Sequence, residues 1–176
     1  VGNRWQRMAE AWEPRIDDAW YAFNDTHAMM AFAGSGRRDL AQRLLTVMQR
    51  TAAASTDNGT MTRTVGLPVA NAILAYAEGR HADAVDLLTP VKAIAARAGG
   101  SHAQRDLIAQ TLVSAAEKSG QVRLARALLN ERLAARLAVE RRLLAQLKHP
   151  GICRFLDAGT LADGMPYVVM ECVHGQ

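Results

Sequence analysis

Apolar residues along the first two thirds of the chain recur at helical spacing. Trp5, Met8 and Trp12 lie three and four apart, which predicts a helix from about Asn3 to Glu13 that Pro14 breaks or restarts. Ile16, Trp20, Phe23, His27 and Met30 follow at alternating spacings of four and three, predicting a second helix with one apolar stripe. Residues 51–64 lose this period and gain Thr, Ser, Asp, Asn and Gly, so a frayed helix end and a loop are expected there. Leu67-Pro68 opens the next helix, with proline suited to a first turn. Gly99-Gly100 closes a hairpin, and Ser101 with Gln104 has the spacing of a capping box. No Gly or Pro occurs between Gln121 and Lys148, which predicts one helix of about 27 residues, roughly 40 Å long. His149-Pro150 ends it, and two apolar strands joined at Asp163-Gly164 follow.

The pattern also repeats. Three segments align on a glycine, at Gly36, Gly79 and Gly120, separated by 43 and 41 residues. Alanine follows five positions later (Ala41, Ala84, Ala125), and a leucine pair at eight and nine (Leu44-Leu45, Leu87-Leu88, Leu128-Leu129). The physical reading is a helical hairpin used three times. Glycine stops the first helix in a left-handed cap, alanine allows close helix approach, and the leucines fill the seam. A single hairpin cannot bury its apolar face, whereas three stacked ones form a continuous core.

Composition agrees with an all-helical body: apolar residues make up 49% of the 176, but aromatics only 5%. The net charge of +4 arises before residue 137, where 17 Lys and Arg face 13 Asp and Glu; the remainder balances at four and four. These basic residues are scattered, which argues against a nucleic-acid partner. Cys153 and Cys172 make neither a CxxC motif nor a disulfide framework, so a reducing, cytoplasmic setting is expected, with no metal site and no cofactor. The apolar run around Leu67 to Ala77 is too short to span a bilayer, so no membrane partner is expected either. Beginning at Val1 and ending at Gln176, the sequence reads as a piece of a longer one.

Asn24, Asp25 and His27 suggest an acid beside a base, but residues two apart on a helix point about 200° from one another. His27 therefore reads as a hydrogen-bonded core histidine, and Trp5, Trp12 and Trp20 as core aromatics. Asn71, with Asn24 and Asp25 behind it, is the candidate polar contact of a groove lined by the first helices of the hairpins.

Two resemblances sharpen these expectations. Arg4-Trp5, the run Phe23-Asn24-Asp25-Thr26-His27-Ala28-Met29-Met30, and Gly66-Leu67-Pro68-Val69-Ala70 resemble the tetratricopeptide repeat protein 38 family over residues 1–136. That implies a mainly α fold of tetratricopeptide-like helical hairpins, an α-solenoid, with no established chemistry. Residues 137–176 read differently: Val139-Glu140-Arg141-Arg142-Leu143-Leu144, Leu147-Lys148-His149-Pro150-Gly151-Ile152 and Pro166-Tyr167-Val168-Val169-Met170-Glu171. They resemble a bacterial serine/threonine kinase from the αC helix to the hinge, a short C-terminal helix plus a β-hairpin. By that resemblance Glu140 matches the glutamate that pairs with the nucleotide-binding lysine, Met170 the gatekeeper, and Glu171 the start of the hinge. The Gly-rich loop, the lysine, the catalytic loop and the metal-binding Asp are all missing from the sequence, so no catalytic residue and no enzymatic activity is expected. The expected function is binding of a protein or peptide partner; the alternative is a truncated or regulatory kinase fragment. An exposed C-terminal hairpin would also favour a homodimer.

Overall fold

α1 (Arg4–Trp12) ends where Pro14 enters a 3-10 turn at Glu13–Arg15. The computed structural model describes residues 3–146, 153–162 and 164–172; it is mainly helical, with a two-stranded antiparallel sheet near the C-terminus. It divides into two compact units, Val1–Gln121 and Val122–Gln176. The division lies upstream of residue 136, where the change of sequence pattern placed it, because the chain between is part of one long helix.

After α1 the first unit holds α2 (Ala22–Ser35), α3 (Arg38–Ala53), α4 (Asp57–Met61), α5 (Leu67–Ala77), α6 (His81–Leu88) and α7 (His102–Lys118). The stripe from Ile16 to Met30 is not one helix. Asp18–Tyr21 is non-helical, Ala19 adopts φ 48°, and α2 begins only after an extended Tyr21. Ile16 still reaches the core from its turn, but Trp20 stands 76% exposed, against the expectation of a core aromatic. Trp5 and Trp12 are half-buried. The indole of Trp5 lies over Gly34, where a Cβ would come within 2.6 Å of it, so the absent side chain lets α1 close on α2.

The three repeat glycines share one turn. Gly36, Gly79 and Gly120 have φ 75°, 79° and 78°. At each, the N–H one residue beyond the glycine donates to a carbonyl five residues back: Arg37 to Phe32 at 2.9 Å, Arg80 to Ala75 at 2.9 Å and Gln121 to Ala116 at 2.8 Å. The glycine N–H itself reaches three back, to Ala33, Tyr76 and Glu117. This is the Schellman arrangement, which satisfies carbonyls that the helix end leaves open. The first two turns also hand an arginine to the next helix: Arg37 pairs with Asp39 at 2.8 Å and Arg80 with Asp83 at 2.6 Å. Ala41 and Ala84 are fully buried behind these turns; Leu44, Leu45 and Leu88 are buried and Leu87 half-buried. In the third copy Ala125 is half-buried, Leu128 is buried and Leu129 is 48% exposed.

Residues 51–64 differ from the expected loop. α3 continues to Ala53, Thr56 caps α4 by accepting from Gly59 N–H at 3.0 Å, and a π-helical turn, Thr62–Gly66, runs directly into α5. In that turn Leu67 N–H donates to the Thr62 carbonyl, one residue further back than in an α-helix. Pro68, which has no N–H to give, comes just where the wider ladder narrows again. The sequence signal was present in Thr56-Asp57, a cap followed by an acid, but turn-forming composition masked it.

The core gathers Phe32 and Met29 of α2, Leu44, Leu45 and Met48 of α3, and Ala70 of α5. α5 packs on α2 and α6, and α7 on α5 and α6. α6 stops at Leu88, before Thr89-Pro90. The capping box of α7 forms as expected: Gln104 N–H donates to Ser101 Oγ, and Ser101 N–H to Gln104 Oε1 at 2.8 Å.

In the second unit α8 (Val122–Gln146) runs 25 residues without interruption. His149-Pro150 and the side chain of Glu140 lie outside the described residues. β1 (Phe155–Thr160) and β2 (Pro166–Met170) pair antiparallel from Phe155↔Met170 to Thr160↔Pro166, with a bulge between Phe155 and Asp157, and both strands contact α8. Gly164 turns at φ 84°. Val168 is half-buried, while Leu156, Val169 and Met170 remain more than a third exposed.

Because nothing lies within 4 Å of a Cβ built on Gly79, Gly79→Ala tests the left-handed backbone alone. It should lower stability by about 1–2 kcal/mol in urea unfolding, with little change in slope.

Candidate functional site

α2, α5 and α7, the helices that each precede a repeat glycine, point the same kind of stripe at one cavity. α2 contributes Phe23, His27 and Met30, α5 Val69, Ile73 and Tyr76, and α7 Gln104, Ile108 and Thr111. Each set has the spacing i, i+4, i+7, so each is a single helix face. The cavity measures about 140 Å³ and its lining is overwhelmingly apolar. Gly66 of the π turn and Gly99 complete the wall.

Backbone and aromatic rings shape that wall together. Gly99 and Gly100 have φ 79° and 77°. A Cβ on Gly99 would strike the Tyr21 hydroxyl, and one on Gly100 the Phe23 ring at 2.4 Å, so two aromatics from the α2 entrance pack on bare backbone. The Arg105 guanidinium donates to the Gly100 and Gly99 carbonyls and fixes this segment to α7.

His27 lies against Phe23, with ring centroids 4.3 Å apart, and its Nδ1 is 2.8 Å from the Phe23 carbonyl. A carbonyl can only accept, so Nδ1 is the donor in this bond. The histidine is thus hydrogen-bonded and half-buried, and it lines the cavity. Tyr76 ties α5 to α7 through a 2.8 Å bond between its hydroxyl and Ser114. Lys118 sits 4.8 Å above the ring, and its contact, followed by that of Ser114, holds the phenol below the ordinary tyrosine range.

The polar contacts expected from sequence fall elsewhere. Asn71 bonds the Leu67 carbonyl of its own helix at 2.9 Å and does not line the cavity. Asn24 and Asp25 lie between 100° and 200° round α2 from Phe23 and line a second cavity of about 240 Å³ with Trp12, Arg15, Asp18 and Trp20. Asp25 is 8% exposed, its Oδ2 has no hydrogen-bond partner, and burial pushes its carboxyl up from 3.8 to about 6. In the second unit Met170 ends β2, and Glu171 donates its N–H to the Arg154 carbonyl at 2.9 Å; both side chains are exposed.

Sequence reasoning missed the apolar character of the groove. His27 and Met30 were visible as a stripe, but nothing local marked that Ile73, Tyr76 and Ile108 would converge on it. Among the described residues, no group of three or more His, Cys, Asp or Glu is placed to hold a metal ion, and no helix is long and apolar enough to cross a membrane. No protein-family model matches the chain, and no solved structure matches its fold.

Asp25 makes stability depend on pH in a definite direction. Its folded value lies above its unfolded one, so the folded state holds the proton more tightly, and stability falls as pH rises from about 4 to 7. Asp25→Asn should therefore gain on the wild type across that window by on the order of 2 kcal/mol, read from urea midpoints at pH 4 and pH 7. A difference that stays constant with pH would mean that the carboxyl is not desolvated.

Proposed function

We propose that the first unit is a protein-interaction module of tetratricopeptide-like helical repeats, which takes an apolar side chain of a partner peptide or helix into the α2–α5–α7 cavity. The observation that carries this reading is the convergence of three i, i+4, i+7 stripes on one apolar space. The size favours it too. A cavity near 150 Å³ suits a benzene-sized group, whereas pockets for cofactors and drug-sized ligands start at about 300 Å³. A buried aromatic or aliphatic anchor within a wider, weakly contributing contact is how peptide grooves distribute their binding energy.

Selection of peptides from a random displayed library on the whole protein tests this. Selected sequences should share an aromatic or aliphatic anchor, and Ile73→Trp, which fills the cavity, should weaken them at least about tenfold. Met30→Trp should do the same from the other wall, while Asn71→Ala should leave affinity unchanged. With circular dichroism showing both Trp variants folded, peptides that bind them as well as wild type would sink the proposal.

The second unit supports a second reading, a kinase fragment, because α8 followed by an antiparallel hairpin is the order that the kinase resemblance implies. In that reading Glu140, Met170 and Glu171 keep positions without a nucleotide site. Mg-ATP at millimolar concentration should then leave the melting temperature unchanged, and an upward shift would show nucleotide binding that the interaction reading does not contain.

A further inference from the structure

The two cysteines are 19 positions apart in sequence and flank the two paired strands, Cys153 two residues before β1 and Cys172 two residues after β2. The ladder runs outward to Phe155↔Met170, and Glu171 N–H still donates to the Arg154 carbonyl at 2.9 Å beyond the last strand residues. That single bond carries the strand register one step past the paired residues; continued by one further step, the same register sets Cys153 opposite Cys172, in the place of a non-hydrogen-bonded pair with both side chains on one face. Such pairs have Cα atoms about 4.5 Å apart, inside the range a disulfide spans. Both thiols are free and exposed.

We propose that Cys153 and Cys172 form a thiol-modification site, which a low-molecular-weight disulfide such as oxidised glutathione converts to an intramolecular disulfide across the open end of the hairpin. One cysteine thiolate attacks the glutathione disulfide; a protein–glutathione bond forms and one glutathione thiolate leaves. The facing thiolate then attacks the protein sulfur of that mixed disulfide and expels the second glutathione. Two protein thiols are oxidised, one glutathione disulfide is reduced to two thiols, and the two protons pass to the departing glutathiones. The bond joins the points where the chain enters β1 and leaves β2, closing residues 154–171 into a loop.

The test equilibrates the full chain with defined ratios of oxidised to reduced glutathione, quenches with an alkylating agent, and reads intact mass, peptide mass and non-reducing electrophoresis. The expected product is a monomer lighter by two hydrogens with Cys153 linked to Cys172, reversed by dithiothreitol. Amides of β1 and β2 should exchange about tenfold more slowly in it. In urea the same pair should require at least about a tenfold higher ratio of oxidant, because only the folded ladder holds the thiols face to face. Cys153→Ser should stop at a stable glutathione adduct on Cys172, and Cys172→Ser at one on Cys153. Adducts on both cysteines of the wild type, a disulfide-linked dimer, or equal oxidation folded and unfolded would each overturn the proposal.

Discussion

The first unit depends on a backbone constraint. Three helix ends need their last carbonyls satisfied while the chain reverses within two residues, and a left-handed glycine accepting no side chain does both. From that turn the rest follows. At Gly36 and Gly79 the next helix lies back along the first, the alanine five residues on is fully buried, and Leu44, Leu45 and Leu88 beyond it are buried too. Phe32 and Ala75 illustrate the economy, since each is a core side chain whose carbonyl also anchors a turn.

Much of this was legible in the sequence, because a glycine, an alanine and a leucine pair at constant offsets describe one local geometry. The Ser101–Gln104 box was legible for the same reason: both partners lie within one turn. Trp20 was misread because spacing alone cannot tell a helix from a chain that passes through the same intervals. The extended Tyr21 that breaks the stripe carries no breaker residue. The groove was harder still. Asn71 and Asp25 stood out as polar residues on helices, yet the space that forms is defined by apolar side chains of three helices 25 or more positions apart, and no local rule joins them.

Asp25 and His27 show how two positions determine different fates on one helix. The histidine finds a carbonyl four residues back and a ring to lie against, so its polarity is met while its face stays apolar. The aspartate is turned to another side, enclosed by Trp12 and Trp20, and left with an oxygen that nothing bonds. Burying such a carboxyl costs stability, which the apolar core of α2, α3 and α5 offsets.

The π turn at Thr62–Gly66 has a meaning for how this chain tolerates change in length. Its wider ladder is equivalent to one residue inserted into a continuous helix from α4 to α5. Loss of a single residue there would narrow the wide turn to the α-helical step, with Pro68 still unable to donate. It would also rotate Val69, Ile73 and Tyr76 by about 100° relative to α4, so that α4 and the cavity-lining face of α5 could no longer both keep their present packing. The segment that looks most like a dispensable loop thus sets the phase between α4 and α5.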